Sequence, residues 1–153
     1  MKIITQNKKA FHDYSVLGTI EAGIVLTGGE VKSLRAGLVN LVGAFATIHN
    51  NELMIINCYI GEYSHAYEKS TEDHSRRTRK LLVHASELNK LVGEVSRKGI
   101  TLVPLKLYFN EKSKIKVELG LCKHKKAHER KEELRERDIS RETRREIKDK
   151  VRY

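Results

Sequence analysis

The chain has 153 residues and a mass of 17.6 kDa, a size typical of one domain. Thirty Lys and Arg against twenty Asp and Glu leave a net charge of +10, and the pI is about 9.6. This balance favours a polyanionic partner such as a nucleic acid. The longest strongly apolar run is Leu53 to Ile56, and the first residues lack the apolar core of a signal peptide. No membrane association is therefore predicted, and a cytoplasmic protein is expected.

The excess positive charge is divided between two parts of the chain. Residues 1–122 hold 17 basic and 12 acidic residues, and residues 123–153 hold 13 and 8. The second part has no glycine or proline and very few apolar residues, so it offers little surface for a core. We predict a folded domain over 1–122 and a basic tail over 123–153. The tail is expected to be disordered or marginally helical when free and to become helical on a polyanion; a solvated helix packed on the domain is the alternative.

The first half of the predicted domain contains strands and a short helix. Residues 14–27 mix β-branched and apolar residues with two glycines, which predicts one bent or bulged strand. A short helix is predicted from Glu30 to Arg35. Phe45 to Cys58 has the pattern of a hairpin, with Asn50-Asn51 as its turn because Asn tolerates positive φ.

The second half predicts a strand, a helix and another hairpin. A short strand is predicted over residues 81–84, which begin with Leu81-Leu82-Val83, and a helix is expected from an N-cap at Ser86 to a stop at Gly99. Apolar residues alternate through Ile100–Leu121 on both sides of a polar loop. A three-residue loop, 111–113, keeps the apolar residues on one face. The register then pairs Tyr108 with Lys116 and Lys106 with Glu118 on the outer face.

These elements predict a mainly β fold. At this length, strands before and after a helix indicate a small antiparallel barrel, closed or partly open, with two to three short flanking helices and a basic C-terminal tail.

Motifs for catalysis and metal binding are weak. Phosphate-binding glycine loops and a nucleophile elbow are missing from the sequence. Cys122, His124 and His128 have a metal-like spacing, but no further ligand completes a zinc set. Glu21 and Glu30 are conceivable acids of a metal-dependent nuclease, although a lone Glu in a basic protein more often accepts hydrogen bonds. We therefore expect no enzyme activity, no cofactor and no bound metal.

Four basic clusters favour RNA binding over a merely solvated surface, although charge alone does not exclude DNA. The strongest cluster, Arg76 to Lys80, holds four cations in five residues and directly precedes the apolar strand. The others are Asn7-Lys8-Lys9, Lys32 to Arg35, and the start of the tail.

Several long motifs resemble one known family. They are residues 7–14 (NKKAFHDY), 21–37 (EAGIVLTGGEVKSLRAG), 77–82 (RTRKLL), 99–105 (GITLVPL), 116–120 (KVELG) and 123–131 (KHKKAHERK). In this order they resemble the small protein B family, the tmRNA-binding or SsrA-binding proteins of bacteria. The resemblance covers about residues 5 to 137. Three positions depart from the family pattern: His124 replaces a usual Gly, Ser75 a usual Pro, and Glu129-Arg130-Lys131 a usual Asp-Lys-Arg.

The resemblance implies an OB-like antiparallel barrel and a non-catalytic adaptor. Such an adaptor binds the tRNA-like domain of tmRNA and delivers it to stalled ribosomes for trans-translation, in a complex that can include elongation factor Tu. Its tail enters the empty mRNA path of the small subunit, where His128 is placed to stack on a ribosomal RNA base. A basic OB-like ribosomal or translation-factor component is the alternative.

The basic clusters and the resemblance together give two sets of candidate residues. The RNA-binding set on the domain is Asn7, Lys8, Glu21, Lys32, Ser33, Arg35, Arg77, Arg79, Lys80, Leu82 and Lys116. The ribosome-contacting set in the tail is Lys123, Lys125, Lys126, His128, Arg130 and Lys131.

Overall fold

The structure is a computed structural model that describes residues 1–62, 74–97, 99–125 and 135. Most of these residues lie in antiparallel strands. The strands are β1 (Lys2–Gln6), β2 (Tyr14–Ile24), β3 (Val39–Asn40), β4 (Phe45–His49), β5 (Glu52–Ile56), β6 (Tyr59–Ile60), β7 (Arg79–Leu82), β8 (Ile100–Phe109) and β9 (Ile115–His124). The helices are α1 (Lys8–Asp13), α2 (Gly28–Arg35) and α3 (Ala85–Val95).

The main sheet closes on itself. Strand β9 pairs with β2, and the ladder continues through β7, β5, β4 and β8 back to β9. Strand β1 pairs with residues 106–109 of β8, whereas β4 pairs with β8 at Leu102. Strands β3 and β6 form a separate two-stranded sheet. Leu53, Ile55, Leu107, Val117 and Leu119 are among the side chains buried in the core. The predicted mainly β, antiparallel fold with flanking helices is confirmed, and the closed ring of strands agrees with an OB-like barrel.

Strand β2 is bulged, as its glycine content predicts. Its register against β9 shifts between Val16 and Gly18. The strand ends at Ile24 rather than at residue 27, because Thr27 caps the next helix. Thr27 Oγ1 accepts a hydrogen bond from the Glu30 backbone N–H, and Glu30 Oε1 accepts one from the Thr27 backbone N–H. This reciprocal cap starts α2 two residues before the predicted Glu30.

Both predicted hairpins are confirmed. Asn50 and Asn51, with φ of 49° and 58°, join β4 to β5. Residues 110–114 connect β8 to β9, and the Asn110 backbone N–H donates to Lys114 O, so the predicted three-residue loop 111–113 lies between a hydrogen-bonded pair. The predicted Tyr108–Lys116 and Lys106–Glu118 pairs are present. A shift in this register between Pro104 and Lys106 was not predicted. Tyr108, predicted to lie on the outer face of the sheet, is only 6% exposed.

Two boundaries differ from the predictions. Helix α3 begins at Ala85, and its N-cap is His84 without a side-chain hydrogen bond, so the predicted Ser86 cap is wrong. Strand β9 continues to His124, past the predicted domain boundary at residue 122. The Lys125 backbone N–H then donates to Asp13 O at 3.0 Å, so the folded part extends at least to residue 125. The predicted states of the remaining tail lie outside the described residues, apart from Arg135.

Strand β1 and helix α1 were not predicted. Helix α1 has only six residues, too few for a periodic pattern, and one side chain starts it. Asn7 Oδ1 accepts a hydrogen bond from the Ala10 backbone N–H at 3.2 Å.

Candidate nucleic-acid interface

Three candidate residues from distant parts of the sequence meet in one concavity on the outer face of the sheet. Glu21 comes from β2, Leu82 from β7 and Lys116 from β9, and the cavity between them has a volume of about 420 Å³. The register explains the convergence, because Gly23 pairs with Leu82 on one side and with Lys116 on the other. A Cβ on Gly23 would lie 3.4 Å from the Leu82 Cβ. Glycine at this position therefore leaves this part of the concavity open.

The concavity is chemically mixed. Leu82 is 52% exposed and offers an apolar surface, while Lys116 supplies a cation. Glu21 and Glu87 supply carboxylate acceptors, and His84 lies at the same rim. A surface that combines these groups can contact a phosphate, an apolar base face and a hydrogen-bond donor together. Such a combination suits unstacked nucleotides better than phosphates alone.

A row of polar side chains borders the concavity. Glu21 lies directly opposite Glu118 on β9, which in turn lies opposite Lys106 on β8. The Lys106 Nζ is 3.4 Å from Glu118 Oε2 and 5.6 Å from the centre of the Tyr108 ring. The Tyr108 hydroxyl donates a hydrogen bond to Glu21 Oε2. Burial, followed by the hydrogen bond to Glu21, raises the pKa of Tyr108 well above its usual value.

Arg79 supports the fold and has no donor left for a ligand. Its side chain is 1% exposed and donates to Glu30 Oε2. The remaining four guanidinium hydrogen bonds go to backbone carbonyls of Cys58, His74, Ser75 and Arg77. The predicted RNA contact of Arg79 is therefore incompatible with its geometry.

Glu30 is the acidic centre of the same cluster. Burial raises the pKa of its carboxyl, but hydrogen bonds from Arg77, the Thr27 backbone and Arg79 outweigh this and hold the pKa below the usual value. Glu30 thus stays ionised between two arginines and caps α2. This structural role leaves no reason to regard it as a nuclease acid. Arg77 remains partly exposed, at 31% of its side chain.

Asn7 and Ser33 are also buried. The Asn7 side chain is 3% exposed, and its amide donates to Leu41 O and Pro104 O while its oxygen caps α1. Ser33 is fully covered on the inner side of α2. Contact of either side chain with RNA would require the local structure to open, so the geometry argues against both predictions.

The remaining candidates on the described part of the domain are exposed. They are Lys8, Lys32, Arg35 and Lys80. Lys80 Nζ lies 3.4 Å from Glu52 Oε1, an exposed ion pair of little energetic weight. A role of these four cations in RNA binding stays a prediction.

The first tail candidates belong to the fold. Lys123 lies in β9 with an exposed side chain, whereas Lys125 is only 9% exposed. The Lys125 Nζ donates to Phe11 O at 3.1 Å, at the C-terminal end of α1, where helix carbonyls lack partners and favour a cation. His124 stacks at a tilt on Tyr14, with ring centres 4.5 Å apart. Lys126, His128, Arg130 and Lys131 lie outside the described residues.

Metal-binding groups, reactive thiols and membrane-spanning helices are the other features of interest in the described residues. No group of three or more His, Cys, Asp or Glu among them could hold a metal ion. Burial raises the pKa of both Cys58 and Cys122 to about 11, so neither thiol is activated as a nucleophile. No helix in the described ranges has both the length and the apolarity needed to span a membrane.

Sequence reasoning found Glu21, Leu82 and Lys116 but missed three of their neighbours. His84 and Glu87 lie at the start of α3, and only the three-dimensional turn after β7 brings them to the concavity. Tyr108 was seen as an aromatic beside a lysine, but its partner Glu21 is 87 residues away. The pairing of β2 with β9 and of β9 with β8, which was not predicted for β2, brings the two residues together.

The closed antiparallel sheet and its mixed outer concavity define a small β-barrel protein with a candidate nucleic-acid-binding face. The model of the SmpB protein family matches residues 4–149. The SsrA-binding protein of Symbiobacterium thermophilum is 50% identical over 139 residues, which cover 91% of this chain and 87% of the relative. That of Coprothermobacter proteolyticus is 46% identical over 153 residues, the whole of both chains. The chain therefore belongs to the SmpB family.

A solved structure is similar as well. It is described as "tmRNA-SmpB: a journey to the center of the bacterial ribosome", and the matching chain in it is 51% identical to this one. The two share a TM-score of 0.65, over 80% of this chain and 85% of the other.

Proposed function

We propose that this protein is a non-catalytic adaptor that binds the tRNA-like domain of tmRNA and brings it to stalled ribosomes. Membership of the SmpB family and the similarity to a chain described together with tmRNA and the ribosome support this function. The proposal includes a cytoplasmic location, contact with the ribosomal RNA of the small subunit, and delivery in a complex with elongation factor Tu.

The observation that carries the proposal is the meeting of Glu21, Leu82 and Lys116 in one concavity. Each of the three lies on or beside a strand of the closed sheet, so their spacing is fixed before a ligand arrives. A preorganised surface of this kind recognises an RNA by its shape and by a few unstacked nucleotides. Residues after Lys125 would then contact the ribosome.

Binding to the isolated tRNA-like fragment of tmRNA tests the proposal. The wild-type protein should bind this fragment more tightly than an elongator tRNA at the same salt concentration. Lys116→Ala should lower the affinity and reduce the slope of log K against log salt by roughly 0.7 to 0.9, the contribution of one phosphate contact.

Lys114→Ala is the matched control, because Lys114 is exposed in the β8–β9 turn and does not line the concavity. It should leave both affinity and slope close to wild type. Equal binding of the fragment and an elongator tRNA would contradict the proposed function. An unchanged slope for Lys116→Ala would remove Lys116 from the phosphate contacts.

A further inference from the structure

Two acidic side chains beside the concavity are held in different ways. Glu21 and Glu118 are cross-strand partners, and like charges placed opposite each other destabilise a sheet. Lys106 pairs with Glu118 and offsets that charge. Among the described residues, the Glu21 carboxylate receives its hydrogen bond from the uncharged Tyr108 hydroxyl. The group that holds Glu21 in position is therefore a neutral one.

The position of Tyr108 is itself well determined. The residue lies in β8 between Ile3 of β1 and Lys116 of β9, and it is only 6% exposed. Lys106 lies against its ring, 5.6 Å from the centre. The side chain spans β9 to reach Glu21 on β2, the next strand. Because it is packed on several sides, the tyrosine can hold the exposed carboxylate in one orientation.

From this arrangement we propose that Tyr108 is a positioning residue that presents the second oxygen of Glu21 to a hydrogen-bond donor of the bound RNA. The donor is a base N–H or a ribose 2′-hydroxyl. This inference rests on the proposed function and adds the chemical group that Glu21 reads.

The charge of Glu21 decides the class of RNA group. A carboxylate repels a phosphate, so Glu21 weakens the site unless the ligand brings an N–H or O–H to it. A charged partner such as lysine would position Glu21 but would also neutralise it and compete for its oxygens. A tyrosine hydroxyl positions the carboxylate without either effect. A tyrosine hydroxyl is protonated at neutral pH, and here burial, followed by the hydrogen bond to Glu21, raises its pKa further.

Binding of the tRNA-like fragment by the full chain tests the inference with Tyr108→Phe, Glu21→Ala and the double variant. Tyr108→Phe keeps the packed ring and should weaken binding by about 5- to 10-fold, the effect of one misplaced hydrogen bond to a charged group. The salt slope should stay unchanged, because no phosphate contact is lost. In the Glu21→Ala background, Tyr108→Phe should have no further effect.

Tyr14→Phe is the matched control, because it removes the same atom on β2 at a distance from the concavity, and it should bind as wild type does. The thermal midpoint of every variant is measured alongside. Should Tyr108→Phe prove unstable, Glu21→Gln provides a second route. The amide oxygen can still accept from Tyr108, but the negative charge is gone, and the affinity should fall at an unchanged salt slope.

Substituted fragments distinguish the two donors. Single 2′-deoxy substitutions remove one ribose donor each, and base analogues that lack a single amino or imino N–H, such as inosine for guanosine, remove one base donor each. One substitution should weaken binding to wild type and leave binding to Glu21→Ala unaffected. The inference is overturned if no substitution behaves in this way, or if the effects of Tyr108→Phe and Glu21→Ala add, while the wild type binds the fragment. Failure of the wild type to bind the fragment would instead contradict the proposed function itself.

Discussion

Arg79 donates five hydrogen bonds within the fold and is almost completely buried. It joins Glu30 of α2 to the turn before β7 and to Cys58 before β6. Burying a guanidinium is costly unless each donor has a partner, and here each has one. Arg79 thus fixes the segment that places Leu82 in the concavity.

Replacing Arg79 by Met should destabilise the protein strongly. The change leaves the mostly buried Glu30 carboxylate without one of its two arginines, a loss of about 3–5 kcal/mol in the free energy of unfolding. Urea denaturation followed by circular dichroism measures this. Arg77→Met is the matched control. Because Arg77 is more exposed, its replacement should lower the free energy of unfolding by clearly less. Similar losses for both variants would show that burial of Arg79 is not what matters.

The basic cluster illustrates what sequence can and cannot predict at the residue scale. In the sequence, Arg77, Arg79 and Lys80 are indistinguishable members of one run of cations. In the structure, Arg77 is partly exposed, Arg79 is buried and Lys80 is exposed. Arg77 and Arg79 both pair with Glu30, 47 and 49 residues away, but only Arg79 also donates to backbone carbonyls of Cys58, His74, Ser75 and Arg77 in the interior. The sequence pattern predicts that the cluster is positively charged, but the group with which each cation pairs depends on the fold. The same holds for Asn7, whose amide meets carbonyls 34 and 97 residues away.

At the scale of elements, local patterns were sufficient for the two hairpins. The alternation of apolar and polar residues predicted the pairing of β8 with β9 next to the loop, and also the loop length. Asn50-Asn51 predicted the tight turn between β4 and β5. Helix starts were less predictable, because α2 begins at a cap made by Thr27 and α3 begins without a side-chain cap. The bulge at Leu105 was missed because Leu105 and Leu107 fit the alternating pattern that the bulge interrupts.

The Leu105 side chain of β8 lies very close to Gly120 of β9 beside this bulge. A Cβ at Gly120 of β9 would lie 2.8 Å from Leu105 Cδ1 and 3.0 Å from Cys122 Sγ. Gly120→Ala should therefore overpack the site and lower the free energy of unfolding by about 1–3 kcal/mol.

Gly18→Ala tests whether this loss is due to packing. Gly18 lies in β2 beside β9, but a Cβ there would lie 3.8 Å from Leu121 Cδ1, an ordinary contact. Thermal or chemical unfolding of both variants should show a loss for Gly120→Ala alone. A larger loss for Gly18→Ala would mean that the bulge in β2, and not crowding by Leu105, controls this region.

At the scale of the whole molecule, the folded domain extends further along the chain than residue 122, the predicted boundary with the basic tail. The folded part includes Lys123, His124 and Lys125, because β9 continues and Lys125 binds the end of α1. We therefore expect a chain ending after Lys125 to fold and to bind the tRNA-like fragment with nearly wild-type affinity. It should fail to support peptide tagging on stalled ribosomes in a reconstituted translation system.

A chain ending after Cys122 serves as the comparison, since it lacks the contacts of Lys125 with α1. It should melt at a lower temperature than the longer truncation. If the chain ending after Lys125 folded but no longer bound the tRNA-like fragment, residues after Lys125 would also contact that RNA. The division of roles between domain and tail would then be wrong.

The closed sheet also sets when the binding surface can form during synthesis. Strand β2 provides Glu21 early, whereas Lys116 arrives on β9, near the end of the folded part. Tyr108, which holds Glu21, emerges only shortly before. An incomplete chain that stops before β9 thus has the amino-terminal basic clusters but no assembled concavity. Under the proposed function, only a chain that has reached β9 would present the complete concavity to the RNA.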